Sequence, residues 1–123
     1  MRPESAKYLY DIQEALDRIV EFTTGCDFER YASDNLRRSA VERKFEIVGE
    51  AFAQLARCDP ATAGRVSEHA RIIAFRNILI HGYADVDSRI VWDIVTTKVP
   101  TLLNEVVALL AEAERDPAGS ETY

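Results

Sequence analysis

The sequence is poor in the residues that punctuate, staple or metallate a chain. Its 123 residues include two cysteines, two histidines, five glycines, four prolines, one methionine and one tryptophan. Cys26 and Cys58 are too few for a disulfide framework and do not stand at metal-ligand spacing. With no C-x-x-C pair, the residues argue against a structural zinc site, and no metal or other cofactor is expected. Residues 1–13 contain no apolar run of the signal-peptide kind. The longest apolar stretch, 99–111, is broken by Pro100, Thr101, Asn104 and Glu105, which makes it too short and too polar to span a bilayer. A reducing, cytoplasmic setting without a membrane is the resulting expectation. Positive charge is also scarce. Lys and Arg number 15 against 21 Asp and Glu, a net charge of −6, which at face value argues against a nucleic-acid binder.

What remains is one domain's length of periodic helix. In residues 5–23, Leu9, Ile12, Leu16, Ile19 and Val20 recur at three and four to form one apolar stripe, and Gly25 is placed to end the helix. A short turn through Phe28 and Tyr31 leads to Ser33 or Asp34, either of which can cap a second helix. Val41, Phe45, Val48, Phe52 and Leu55 form that helix's stripe up to Cys58, where Asp59-Pro60 stops it. Small residues at 40, 49 and 51 allow a close helix neighbour, and Gly49 reads first as a packing notch. After a loop over 59–64, residues 66–81 form a third helix, apolar on more than one side. Such a helix is either central or lies at an oligomer interface. Asp85 and Asp87 are candidate caps for a fourth helix over 88–115, which Pro100 should kink or break near Thr96. The expected fold is all-α: an antiparallel up-and-down bundle of four main helices over residues 1–115, with a flexible tail over 116–123.

The chemistry-bearing stretch is Arg76-Asn77-Ile78-Leu79-Ile80-His81-Gly82-Tyr83, where polar residues interrupt an apolar helix. Asn77 and His81 are four apart and share a face. Arg76 and His81 stand roughly 140° apart on an ideal helix, so they meet on one ligand only if the last turn loosens or a second chain supplies half the site. A histidine can exchange a proton with a ribose 2′-hydroxyl or a leaving oxygen. An arginine can grip a phosphate in bidentate fashion. RNA carries its own nucleophile, so this chemistry needs no metal. The structural alternative stays open: His81 as a helix-terminal dipole partner, and Arg76 paired with Glu46 or Glu50.

Arg76 to Tyr83 matches the R-x4-H-x-Y signature of HepT-like toxins in the HEPN superfamily (the DUF86 type), and the chain resembles that family over residues 5–112. Ile47-Val48-Gly49-Glu50-Ala51 resembles the family's second-helix block, and the stretch from Asp85 to Trp92 followed by Pro100 and Leu102-Leu103 resembles its last helix. The resemblance implies a metal-independent endoribonuclease toxin of a type VII-like toxin–antitoxin pair, acting on RNA and not DNA, as a homodimer or higher even oligomer with a composite cleft. It implies His81 as general acid/base, Arg76 as phosphate contact and Asn77 as supporting group. The implied partner is a minimal nucleotidyltransferase antitoxin that places AMP on Tyr83, whose other reading is an aromatic anchor packing the loop. A non-catalytic, nucleotide-binding helper subunit of a nucleotidyltransferase is the alternative. The chain departs from many relatives in lacking a Pro-Trp block before the third helix. In that stretch stands His69, seven residues before Arg76, as a second functional histidine or a surface residue.

The charge is uneven. Residues 1–29 carry −4, residues 30–76 carry +3 and residues 77–123 carry −5. The positive share lies in the second helix and the approach to the motif. There Arg37, Arg38 and Arg71, with Arg43, Lys44 and Arg65, are candidates for RNA contact. The acidic balance therefore predicts a local, salt-sensitive contact and not a broad basic face.

Overall fold

The computed structural model describes residues 1–82 and 86–115. Among the described residues the regular structure is all helix: α1 (Pro3–Thr23), α2 (Phe28–Ser33), α3 (Asn35–Cys58), α4 (Pro60–Ala63), α5 (His69–His81), α6 (Ser88–Thr97) and α7 (Val99–Arg115). α1, α3, α5 and the α6–α7 pair are the four main helices, with the short helices α2 and α4 in the first two joints. The expected cap at Asp85 and the tail over 116–123 lie outside the described residues.

The stripes become the core. Leu9, Ile12, Leu16 and Ile19 of α1 meet Val41, Phe45, Val48, Phe52 and Leu55 of α3, all without solvent exposure. Val20, read with the first stripe, lies at its edge and is 42% exposed. The ends of the helices follow local chemistry. Asp27, Asp34, Asp59 and Asp87 each accept a hydrogen bond from a backbone N–H in the first turn of α2, α3, α4 and α6. Gly25 takes a positive φ of 80° just after α1, a conformation glycine adopts without strain.

Two boundaries differ from expectation. The 59–64 loop contains one turn of helix, α4. Asp59 caps it and also accepts 2.6 Å hydrogen bonds from the hydroxyls of Ser5 and Thr62, tying it to the start of α1. α5 begins at His69, not at residue 66, because Glu68 adopts a left-handed φ of 60°. Two carboxylates of α7 and the ammonium of Lys98, just before it, hold this connector. Glu105 accepts from both the N–H and the hydroxyl of Ser67, Glu112 receives a two-pronged contact from Arg65 at 3.0 and 2.6 Å, and Lys98 lies 2.9 Å from Glu68.

The last helix breaks as Pro100 requires. α6 and α7 meet at a 46° bend at Lys98, two residues beyond the expected point. Pro100 becomes the second residue of α7, where no backbone donor is needed. Thr96 and Thr97 return their hydroxyls to the carbonyls of Trp92 and Asp93, which helps turn the chain there. Among the described residues no single helix is long and apolar enough to cross a membrane, though the bent α6–α7 pair passes that test by length and composition.

Candidate active site

The site is built where α5 crosses α3. Ile72, Phe75 and Leu79 turn α5 into the core, and the Phe75 ring meets Phe45 edge-on at 5.4 Å. Gly49 is the crossing point. A Cβ there would stand 2.2 Å from Arg76 Cβ and 3.2 Å from the Ile72 carbonyl, so the absent side chain lets α5 settle onto α3. The stem of Arg76 lies across this notch. The two residues that the sequence marked for different reasons are in contact.

Arg76 is held by its surroundings. Its side chain is 17% exposed, and Nη1 lies 3.3 Å from Glu50 Oε2. Glu50 also accepts from Gln54 at 3.1 Å. Of the two glutamates expected as partners, Glu46 is engaged by Arg43 at 3.1 Å, which leaves Glu50 for Arg76. Arg76 Nε is buried and has no hydrogen-bond partner. A buried guanidinium nitrogen with no acceptor is costly, and an anion reaching the rim of α3 would relieve it.

Asn77 and His81 point elsewhere. Both are exposed, one turn apart, on the outer face of α5. The Gly82 N–H donates to the Ile78 carbonyl at 2.8 Å, so α5 stays regular through His81 and its last turn does not loosen. Within one chain Arg76 and His81 therefore diverge. The outer face around His81 carries Ala70, Ala74 and Ile78, the last 59% exposed. α5 is thus apolar outside as well as inside, and it is not the centre of the bundle. Tyr83 lies outside the described residues. His69 opens α5 half-buried on the Arg76 flank, its Nδ1 3.3 Å from the Val66 carbonyl.

The remaining sequence candidates are spread apart. Arg37 lies at the start of α3, 3.7 Å from Asp34 and bonded to Cys26 Sγ. Arg38 donates to the Ala32 carbonyl and the Asn35 side chain, beside a hollow that reaches Leu79 and Gly82. Arg71 is exposed and pairs with Glu68 at 3.0 Å. Only Arg38 of the three approaches the C-terminal end of α5. Among the described residues no three His, Cys, Asp or Glu side chains gather as a metal site would require.

Comparison with known proteins shows the family of the chain. The family model described as "Ribonuclease HepT-like" matches residues 12–109. The chain is 38% identical over 106 residues to "Probable ribonuclease HepT" of Thermococcus cleftensis, covering 83% of this chain and 92% of that protein. It is 34% identical over 99 residues to "Putative RNase MJ1380" of Methanocaldococcus jannaschii, covering 80% and 90%, and 31% identical over 118 residues to that organism's "Putative RNase MJ0127", covering 92% and 93%. No solved structure matches the chain.

Proposed function

Because the chain belongs to the HepT-like ribonuclease family, we propose that it is an endoribonuclease, the toxin member of a type VII-like toxin–antitoxin pair. One observation carries the mechanism. α5 presents His81 and Asn77 to solvent while it keeps Arg76 at the rim of α3 with a buried nitrogen lacking an acceptor. Two copies joined through the outer faces of α5 would bring the His81 of one within reach of a phosphate gripped by Arg76 of the other. The imidazole takes the proton of the ribose 2′-hydroxyl, and the 2′-oxygen attacks the adjacent phosphorus. The 5′-oxygen leaves with a proton from an imidazolium, and a 2′,3′-cyclic phosphate remains. Arg76 meets the charge that develops on the phosphoryl oxygens. The nucleophile belongs to the RNA, so no metal is invoked.

The proposed antitoxin is a minimal nucleotidyltransferase that attaches AMP to Tyr83. An anionic adduct two residues from His81 would fill the cleft and repel phosphate. A second reading, a non-catalytic helper subunit, is favoured by the Arg76–Glu50 pair, which also serves as a tie between helices. RNA cleavage and growth inhibition by wild type and His81→Ala, with and without the partner and ATP, separate the two. Cleavage lost in His81→Ala with the fold intact supports the ribonuclease. Full toxicity in that variant overturns it.

A further inference from the structure

Beside the Arg76–Glu50 pair, a groove of about 430 Å³ runs between α1 and α3 and is closed at one edge by α5. Its floor is apolar, built from Ala15, Ile47, Ala51 and Ile80, and Tyr8 supplies an aromatic wall. Ile80 stands one turn after Arg76 on the same flank of α5, and Glu50 belongs to both the groove and the Arg76 contact. The groove is thus continuous with the candidate phosphate contact.

Its charges are already matched, with one exception. Asp11 pairs with Lys7 at 3.4 Å, Glu14 with Arg18 at 3.1 Å, Glu46 with Arg43 at 3.1 Å and Glu50 with Arg76 at 3.3 Å. Each acidic side chain on the rim lies beside a cation, Glu14 sharing Arg18 with Glu21, so the rim does not act as a bare negative wall. Lys44 lines the groove with no carboxylate partner among the described residues. An apolar slot with an aromatic wall and one spare ammonium, opening beside an arginine, suits a flat ring joined to an anion.

We propose that this groove is the subsite for the nucleotide next to the scissile phosphate: its base lies over the Ala15–Ala51–Ile80 floor and its own phosphate pairs with Lys44. The proposal rests on the ribonuclease reading and deepens it. Single-stranded RNA is the fitting substrate class, because only an unstacked base can enter a slot of this kind. The sequence placed Lys44 among several cations. The groove singles it out.

The test compares wild type and Lys44→Ala on a short single-stranded RNA and on a dinucleoside monophosphate, which has the scissile phosphate but no neighbouring one. On the longer RNA, Lys44→Ala should raise KM roughly five- to tenfold with kcat retained, the scale of one exposed charge-assisted contact to phosphate. The slope of log(kcat/KM) against log salt should shrink by about 0.7, the single-strand value for one phosphate. Lys44→Arg should keep most of the affinity. The dinucleoside should not distinguish the variants, and Arg30→Ala, an exposed cation away from the groove, should change neither slope nor KM. Equal losses on both substrates, an unchanged salt slope, or the same effect from Arg30→Ala would overturn the subsite. If wild type cleaves no RNA, the ribonuclease reading fails by itself. Anisotropy of the fluorescent RNA with the His81→Ala protein then decides the groove: binding weakened by Lys44→Ala upholds it, and absent or Lys44-independent binding rejects it.

Discussion

α3 and α5 are the two helices that meet at the Gly49 notch, and they use apolar residues in opposite ways. α3 carries Val41, Phe45, Val48, Phe52 and Leu55 on one stripe, all without solvent exposure, with Leu36 exposed in its first turn and Ile47 at the stripe's edge. α5 buries Ile72, Phe75 and Leu79 but leaves Ile78 and Ile80 in solvent, on either side of the motif residues. A helix with one sharp stripe is explained by its own core. A helix that is apolar outside as well as inside has a surface still to be accounted for, and here that surface also carries Asn77 and His81. The contrast separates the part of the molecule that holds the fold from the part that presents the chemistry.

The sharpest way to break this contrast is to remove Phe45, which belongs to the α3 stripe and also touches Phe75. Phe45→Ala should lower stability by about 3–5 kcal/mol, read by chemical denaturation, and take activity with it. Gly49→Ala attacks the crossing itself. The new Cβ meets another Cβ, which cannot swing away, so about 1–3 kcal/mol should be lost with Arg76 displaced. Adding Arg76→Gly should restore part of the stability and none of the activity.

A smaller effect tests the α1–α3 side through pH. Burial raises the Asp59 carboxyl, but hydrogen bonds from Ser5 and Thr62 outweigh it and hold the group below its ordinary value. A depressed carboxylate contributes fully above its unfolded pKa and loses that contribution as pH falls through the folded one. Asp59→Asn keeps the capping oxygen but puts an amide N–H₂ where Oδ2 accepts from two hydroxyls, so it should cost about 1 kcal/mol at neutral pH, the scale of a lost hydrogen bond, and flatten the acid limb of the stability curve. The smallest effect on stability belongs to the outer face. Ile78→Ser should change protomer stability by less than about 0.5 kcal/mol, yet shift the sedimentation profile toward monomer. An unchanged profile would remove that face from the interface.

The architecture was legible because two stripes at helical spacing, the capping aspartates Asp34 and Asp87 and one proline each act over a few residues. Where long-range contacts decide, the sequence was silent. Residues 66–68 have the composition of a helix start, but Glu68 turns left-handed at φ 60° while Glu105 from α7 holds the N–H and hydroxyl of Ser67. α4 was hidden because Asp59-Pro60 marks a stop and a start equally well, and the Ser5 hydroxyl that favours the start comes from 54 residues away. The motif's residues were legible as types, not as directions. Periodicity showed Asn77 and His81 on one face and Arg76 on another, whereas the choice of Glu50 over Glu46 depends on Arg43 having taken the latter. The groove was invisible, since its walls come from three helices.

The connector between α4 and α5 has a consequence of another kind. Its two ends of charge, Arg65 on Glu112 and Glu68 on Lys98, with Ser67 clasped by Glu105 between them, make it a strut fastened at two points to α7 and at a third to the Lys98 bend before it. A strut transmits displacement. A molecule that gripped α7 from outside would pull on the first turn of α5, and so on the register of the motif, as well as on α1, against which α7 packs.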